Sequence, residues 1–314
     1  MTPMVSVVIT TFNRGALVLN AIESVLNQTY TNYEIIVIDD GSTDDTGTRI
    51  RPYLGRIQYL WQENRGLSAA RNKGIELAKG EWVAILDDDD TWLPRKLELQ
   101  LATVADMGTE FGVCFTDCTV VGKPGASPTF FGQAGFHNTV QSGRLDQPVR
   151  YVLGHHPVIA ATSLLIKRCF VEDLNGFDTE IVREDTDLLF RLCFKTKFCF
   201  VNVPLVDVNS DYGISFCTYR LSNLFLEKSD RLFRSDVHMY NKWLQLPELQ
   251  THTEIRQRVH DQKKHLYYDW LVLKLKRFRW SDAIPLAKQI MHMGDSYYTI
   301  CAVLFRRVMS RTLR

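Results

Sequence analysis

The stretch Trp82–Pro94, WVAILDDDDTWLP, decides how this chain is read. Five residues suited to a buried strand run straight into Asp87, Asp88, Asp89 and Asp90. Capping the turn into Pro94 would use one aspartate; four together repel one another and raise their own pKa values. A bound divalent cation removes that penalty, and carboxylate oxygens suit Mg²⁺ or Mn²⁺. The strand end is therefore expected to hold a metal and, with it, phosphates.

Upstream, Val5–Thr10 (VSVVIT) and Tyr33–Ile38 (YEIIVI) are continuous apolar runs of the kind found in buried parallel strands. Ala16–Gln28 has helical spacing, Ile57–Trp61 reads as a short strand, and Asn64–Lys79 as a loop entering a helix closed by Gly80. The order β-α-β-α-β-α-β predicts a doubly wound α/β sheet, whose ligands bind at the carboxyl ends of the strands. TTFNR, DDGSTDD and DDDD all lie at such ends. Residues 122–150 read as a long covering loop. Val158–Ile166 is a further apolar segment, EIVREDTDLLFRLCF a helix and Phe198–Val203 another strand.

The chain has 314 residues, ordinary globular composition and a net charge of +1. That charge is unevenly spread: residues 1–214 carry 19 Lys and Arg against 27 Asp and Glu, and residues 215–314 carry 18 against 9. An acidic front suits a metal site and disfavours nucleic acid as a partner. Seven cysteines without a CxxC predict buried thiols, Cys114 and Cys301 among them, in a reducing compartment. No signal peptide is read and no apolar stretch reaches bilayer length, so a soluble or peripheral protein is expected.

The motifs VSVVITTFNR, YEIIVIDDGSTDDT, NRGLSAARNKGIELAKGEWVAILDDDDTW and GFDTEIVREDTDLLFRL, in that order and spacing, resemble glycosyltransferase family 2. The resemblance covers roughly residues 4–215. It implies a GT-A (Rossmann-like) nucleotide-diphospho-sugar transferase fold, with residues 1–215 as the catalytic domain; residues 216–314 carry no part of the resemblance and read from their pattern as a helical, basic extension. It also implies a metal-dependent inverting transfer from a UDP-sugar donor to the hydroxyl of a saccharide or lipid-linked acceptor. The expected setting is bacterial surface polysaccharide assembly, in the cytoplasm at the inner face of the cell membrane.

By position, the resemblance places Thr10, Phe12 and Arg14 around the uridine and diphosphate, with Phe12 against the base. Asp40 accepts from uracil N3, and Arg71 meets the nucleotide from the next helix. The surface alternative for Arg71 stands beside that role. Asp87 and Asp88 face ribose and sugar, and Asp89 binds the metal. Asp185 is the expected base and Glu184 positions the acceptor, while Asp187 is expected to pair with Arg183 or Arg191. Asp90 is left to cap the turn, and Trp92 and Pro94 to fix its exit. A His common in the family near VDVNSDYGISF is missing, so Asn209, Ser210, Asp211 or water is expected as the remaining metal ligand. His155 and His156 are read as structural, with the acceptor pocket as the alternative.

Two other functions compete. A nucleotidyltransferase would show a Gly-rich phosphate loop, which TTFNRGALV is not, and a non-catalytic sugar-nucleotide-binding protein would not need Glu184-Asp185. A dehydrogenase is disfavoured by the lack of GxGxxG after the first strand. In the tail, Tyr267–Phe278 and Tyr297–Met309 are amphipathic, aromatic and basic. They fit helical core packing first and peripheral contact with an anionic membrane second.

Overall fold

A computed structural model of the chain describes residues 4–121, 129–136, 139–154, 158–209, 226–276, 280–296 and 299–304. The chain divides into two units, Met1–Arg220 and Leu221–Arg314. The boundary expected at 215/216 lies outside the described residues.

The first unit is built on one sheet. Its strands are β1 (Val5–Thr11), β2 (Tyr33–Asp39), β3 (Gln58–Trp61), β4 (Trp82–Asp87), β5 (Thr91–Trp92), β6 (Phe111–Val121), β7 (Ser142–Leu145), β8 (Leu165–Lys167) and β9 (Lys197–Asn209). Its helices are α1 (Gly15–Leu26), α2 (Thr46–Ile50), α3 (Leu67–Leu77), α4 (Lys96–Met107), α5 (Phe130–Gln133), α6 (Pro148–Val152), α7 (Arg168–Asp173) and α8 (Glu184–Leu192). The strand order is β3-β2-β1-β4-β8-β6-β9-β5, with β7 on β9.

The four strands read from sequence form the parallel half, β3-β2-β1-β4. Their runs are apolar on both sides because helices cover both faces. Val7 and Ile9 of β1 join Val18, Ile22 and Val25 of α1 on one face. Val8 joins Ala70 and Ile75 of α3 and Leu188, Leu189 and Leu192 of α8 on the other.

Beyond β4 the sheet departs from the expected pattern. β8 runs antiparallel to β4 and β6, so the sheet is mixed. β6 and β9 then pair in parallel over their length, with a register shift around Thr116–Cys118. Residues 122–150 are less loop-like than expected: α5, β7 and the start of α6 form there, and Phe130, Phe131, Phe136 and Leu145 are buried.

Gly80 is not a helix cap. The helix ends at Ala78, in extended backbone, and a Cβ on Gly80 would lie 2.6 Å from the Ser6 amide nitrogen. Close packing against β1 is what requires glycine there. Cys114 is buried as expected, but Cys301 is exposed.

The second unit contains α9 (Leu226–Leu244), α10 (Glu248–Thr251), α11 (Thr253–Lys276) and α12 (Trp280–His292). Tyr268, Trp270, Leu271 and Leu273 of α11 pack with Ala283, Leu286 and Ile290 of α12. Phe233 of α9 stacks on Trp270 at 4.8 Å between ring centres. The apolar residues of Tyr267–Leu275 are thus spent on a helical core, and Phe278 lies outside the described residues. Among the described residues, no helix is long and apolar enough to cross a membrane.

Candidate active site

Register brings the motifs together. Thr10 of β1 lies beside Asp87 of β4, and Thr11 beside Asp39 of β2. The segments leaving β1, β2 and β4 therefore open onto one rim, as expected for ligand binding at the carboxyl ends of parallel strands.

On the β1 side, Thr10 is buried, and its hydroxyl has no hydrogen-bond partner among the described residues. Phe12 is 45% exposed, a large apolar ring left at the rim. Arg14 donates from one nitrogen, Nη1, to Asp88 Oδ1 and to Asp89 Oδ2, each at 2.9 Å. Asp40 is buried at the end of β2. Its Oδ1 accepts from Gln62 Nε2 at 2.7 Å and the Arg65 amide at 3.0 Å, and its Oδ2 from the Gly66 amide at 2.8 Å. A carboxylate has about four acceptor sites, so one remains beside these three bonds. Asp40 thus shapes the turn into α3, where Gly66 has φ +87°.

Arg71 is 2% exposed, which rules out the surface alternative. Its Nη1 donates to Glu184 Oε1 at 2.6 Å and its Nη2 to Asp87 Oδ1 at 2.5 Å. Phe177 lies over the guanidinium, 5.3 Å from the ring centre. One buried arginine therefore joins the tetrad on β4 to the acidic pair opening α8, 113 residues away from it. Its neighbour Asn72 secures the same junction, accepting from the Phe177 amide and donating to its carbonyl, both at 2.8 Å. Nothing in the sequence pattern singled Asn72 out beyond its place in SAARN.

The acids are under strong electrostatic pressure. Burial pushes Asp88 up to about 6, with Thr11 and Arg14 opposing. Burial, then Asp87, raises Asp89, again against Arg14. Asp90 is pushed up to about 8 by burial and by the charges of Asp87 and Asp89. Glu184 rises to about 7 through burial, although Arg71 pulls it down. Asp185 is half-buried in the first turn of α8, and its Oδ1 accepts from the Thr186 amide at 2.6 Å. Asp187 binds Arg191, at 2.9 Å to Nε and 2.7 Å to Nη2, and is structural as expected.

Asp90 does not cap the turn into Pro94. It points across the sheet, and its Oδ1 accepts from the Asn209 amide at 3.1 Å. Trp92 does fix the exit, donating from its indole to the Thr162 carbonyl at 2.9 Å. His155, His156, Ser210 and Asp211 lie outside the described residues.

Among the described residues no group of three His, Cys, Asp or Glu is placed to hold a metal ion. The donor set nevertheless suits a hard divalent cation that keeps waters and phosphate oxygens as its other ligands. Two guanidinium groups, on Arg14 and Arg71, meet four carboxylates on Asp87, Asp88, Asp89 and Glu184, with Asp90 and Asp185 beside them. Burial first, and the neighbouring carboxylates after it, push Asp88, Asp89 and Asp90 upward.

The model of Glycosyl transferase family 2 matches residues 6–152. A colanic acid biosynthesis glycosyl transferase by name, WcaA of Escherichia coli, is 31% identical over 295 residues, 90% of this chain and 93% of WcaA. The chain belongs to glycosyl transferase family 2. A glycosyltransferase of Rickettsia bellii, uncharacterized, is 48% identical over 99 residues. That match spans 31% of this family 2 chain and only 14% of the Rickettsia protein.

Among solved structures, Staphylococcus aureus TarS 1-349 in complex with UDP-GlcNAc superposes with a TM-score of 0.68 at 16% identity. It covers 93% of this chain and 81% of that one. The mannosyltransferase PcManGT of Pyrobaculum calidifontis, in complex with GDP-Man and Mn²⁺, gives 0.56 at 18% identity, over 100% and 81%. These likenesses establish the fold, which is the expected GT-A architecture with a helical C-terminal region.

Proposed function

We propose that this family 2 chain is a metal-dependent, inverting glycosyltransferase that moves a sugar from a UDP-sugar to an acceptor hydroxyl. One observation carries the reading. Buried Arg71 ties Asp87 of the tetrad to Glu184 of the acidic pair, so that donor-binding and proton-accepting groups share one rim.

In this reading Phe12 offers its exposed ring to the base, and the remaining acceptor site of Asp40 takes the uracil N–H. Arg14 and Thr10 lie where the diphosphate passes. Asp87 and Asp88 meet ribose and sugar, and Asp89 holds the cation. A divalent ion bound there supplies positive charge to the departing diphosphate. Asp185 accepts the proton of the acceptor hydroxyl as its oxygen bonds to the anomeric carbon. The bond from that carbon to the UDP oxygen breaks on the opposite face, giving inversion. Its carboxylate stands in the first turn of α8, while Glu184, fastened to Arg71, holds the helix start in place.

The proposed setting is surface polysaccharide assembly, in keeping with the name of WcaA. The proposed place is the cytoplasmic side of the cell membrane, with the basic second unit toward anionic lipid. Flotation with anionic liposomes tests that last point, and absence of binding refutes it.

A thermal-shift panel of sugar nucleotides, with and without Mn²⁺, tests the donor reading. UDP compounds should stabilise the chain only with metal, and Asp89→Ala should abolish the metal-dependent part. A chain that responds to no nucleotide in either condition overturns the proposal. Stabilisation by GDP compounds alone would redirect the donor assignment.

A further inference from the structure

We propose that Asp90 is a positioning residue: it locks the tetrad turn to the end of β9, holding the acids beside it in register for the donor. The inference rests on the reading of the tetrad as the donor site and assigns Asp90 no contact with the ligand.

The tetrad turn is closed on itself by the Asp90 amide donating to the Asp87 carbonyl at 3.1 Å. Immediately beyond it, β5 has two residues, Thr91 and Trp92, paired with Asp207 and Val206 of β9. Two residues make a weak ladder. The Asp90 carboxylate extends it by taking the Asn209 amide at 3.1 Å, across 119 residues of sequence. The buried Thr162 hydroxyl, which has no hydrogen-bond partner among the described residues, is near the same carboxylate. Asp90 is 5% exposed, whereas the neighbouring Asp87 side chain is 31% exposed. Its side chain is turned inward, away from the rim that Asp87 shares.

The platform below is polar and fully enclosed. Lys96 is buried, with Nζ 3.9 Å from the Trp92 ring centre and 2.9 Å from Gln100 Oε1. Gln100 in turn donates to the Ser163 carbonyl at 2.9 Å and the Cys114 carbonyl at 3.0 Å. The tetrad exit is thereby tied to β6, β9 and the Ala161–Ser163 turn. A site residue held by buried hydrogen bonds of this kind keeps its geometry when ligand charge arrives. Asp90 is the tetrad residue nearest this platform in sequence, two positions before Trp92.

The experiment is calorimetric titration of UDP with and without Mn²⁺ into wild type, Asp90→Asn and Asp90→Ala. The readout is the ratio of the two affinities. Asparagine keeps an acceptor oxygen for the Asn209 amide, so Asp90→Asn should keep the wild-type ratio. Alanine keeps none, and losing a hydrogen bond of this strength should reduce the ratio by about tenfold. A merely structural role would lower the melting temperature of both variants without moving the ratio. Should Asp90→Ala not fold, Asp90→Ser, whose hydroxyl falls short of the amide, should show the same loss. An unchanged ratio in the alanine or serine variant overturns the brace, as does an asparagine variant that falls equally far. A wild-type chain with no Mn²⁺-dependent gain overturns the donor-site reading and the brace with it.

Discussion

The rim of the first unit and the core of the second both bury charge, but in different company: several acids crowd the rim, whereas lysines sit among aromatic and apolar side chains in the core. At the rim, Arg71 joins acids on β4 and α8, Arg14 reaches 74 residues to Asp88, and Asp90 reaches 119 to Asn209. In the second unit, Lys274 lies over Trp270 and between Asp230 and Asp282, and Lys264 and Tyr268 share Asp295. There Lys274 links α11 to α9 and to α12 beside an apolar core. Clustered acids around arginines at the sheet rim are costly and are tolerated where they position chemistry; the lysine–aspartate pairs around the helical core serve packing.

That contrast can be tested by removing members of each set. The largest effect is expected from Arg71→Met. It leaves Asp87 and Glu184 without their shared cation, and breaking such a buried pair costs about 3–5 kcal/mol. Chemical denaturation should show that loss together with loss of transfer. A variant of wild-type stability would mean that the rim does not depend on this link.

Asp185→Asn should follow. Removing a general base lowers turnover by about 10²–10⁴-fold while the fold stays intact. Steady-state transfer assays beside UDP titration would check it, and full transfer activity would refute the base assignment. Phe12→Ala should weaken UDP binding by about 1–3 kcal/mol, the scale of base stacking on an aromatic ring. Equal affinity for UDP would place the base elsewhere.

Glu184 provides a pH test. Its folded pKa, pushed to about 7 by burial, lies above the ordinary value of 4.5. Between those values the folded chain holds a proton that the unfolded chain has released. The group's stabilising contribution is thus complete below about 4.5 and is lost as pH rises through about 7. Glu184→Gln cannot titrate, so wild-type stability relative to this variant should decline from pH 5 to pH 8. A difference independent of pH would contradict the shift.

The smallest effect belongs to the second unit. Lys274→Met leaves Asp230 and Asp282 partly exposed to water, so it should cost under about 1 kcal/mol. It should leave UDP affinity unchanged. A marked loss of donor binding would break the distinction between the two regions.

The parallel half of the sheet was legible because β1, β2 and β4 are covered on both faces and must be apolar throughout. β6 was not, since Phe111–Val121 carries Gly112, Thr116, Asp117 and Thr119 within its apolar run. β8 is three residues long and owes its existence to β4 and β6 on either side. The acids were legible as a group because four in a row at a strand end have few bland explanations. Their separate partners were not. A carboxylate at position 90 looks the same in sequence whether it caps its own turn or reaches β9.

The sequence alone determined the order of strands and helices in the parallel half, the family, and which residues carry charge to the rim. These follow from local periodicity and from motifs that stay contiguous. Tertiary structure decided the mixed sheet, the burial of Arg71 between Asp87 and Glu184, and the turning of Asp90 toward Asn209. Each of those depends on which distant backbone or charge a side chain meets once the sheet has closed. Local propensity carries no record of that choice.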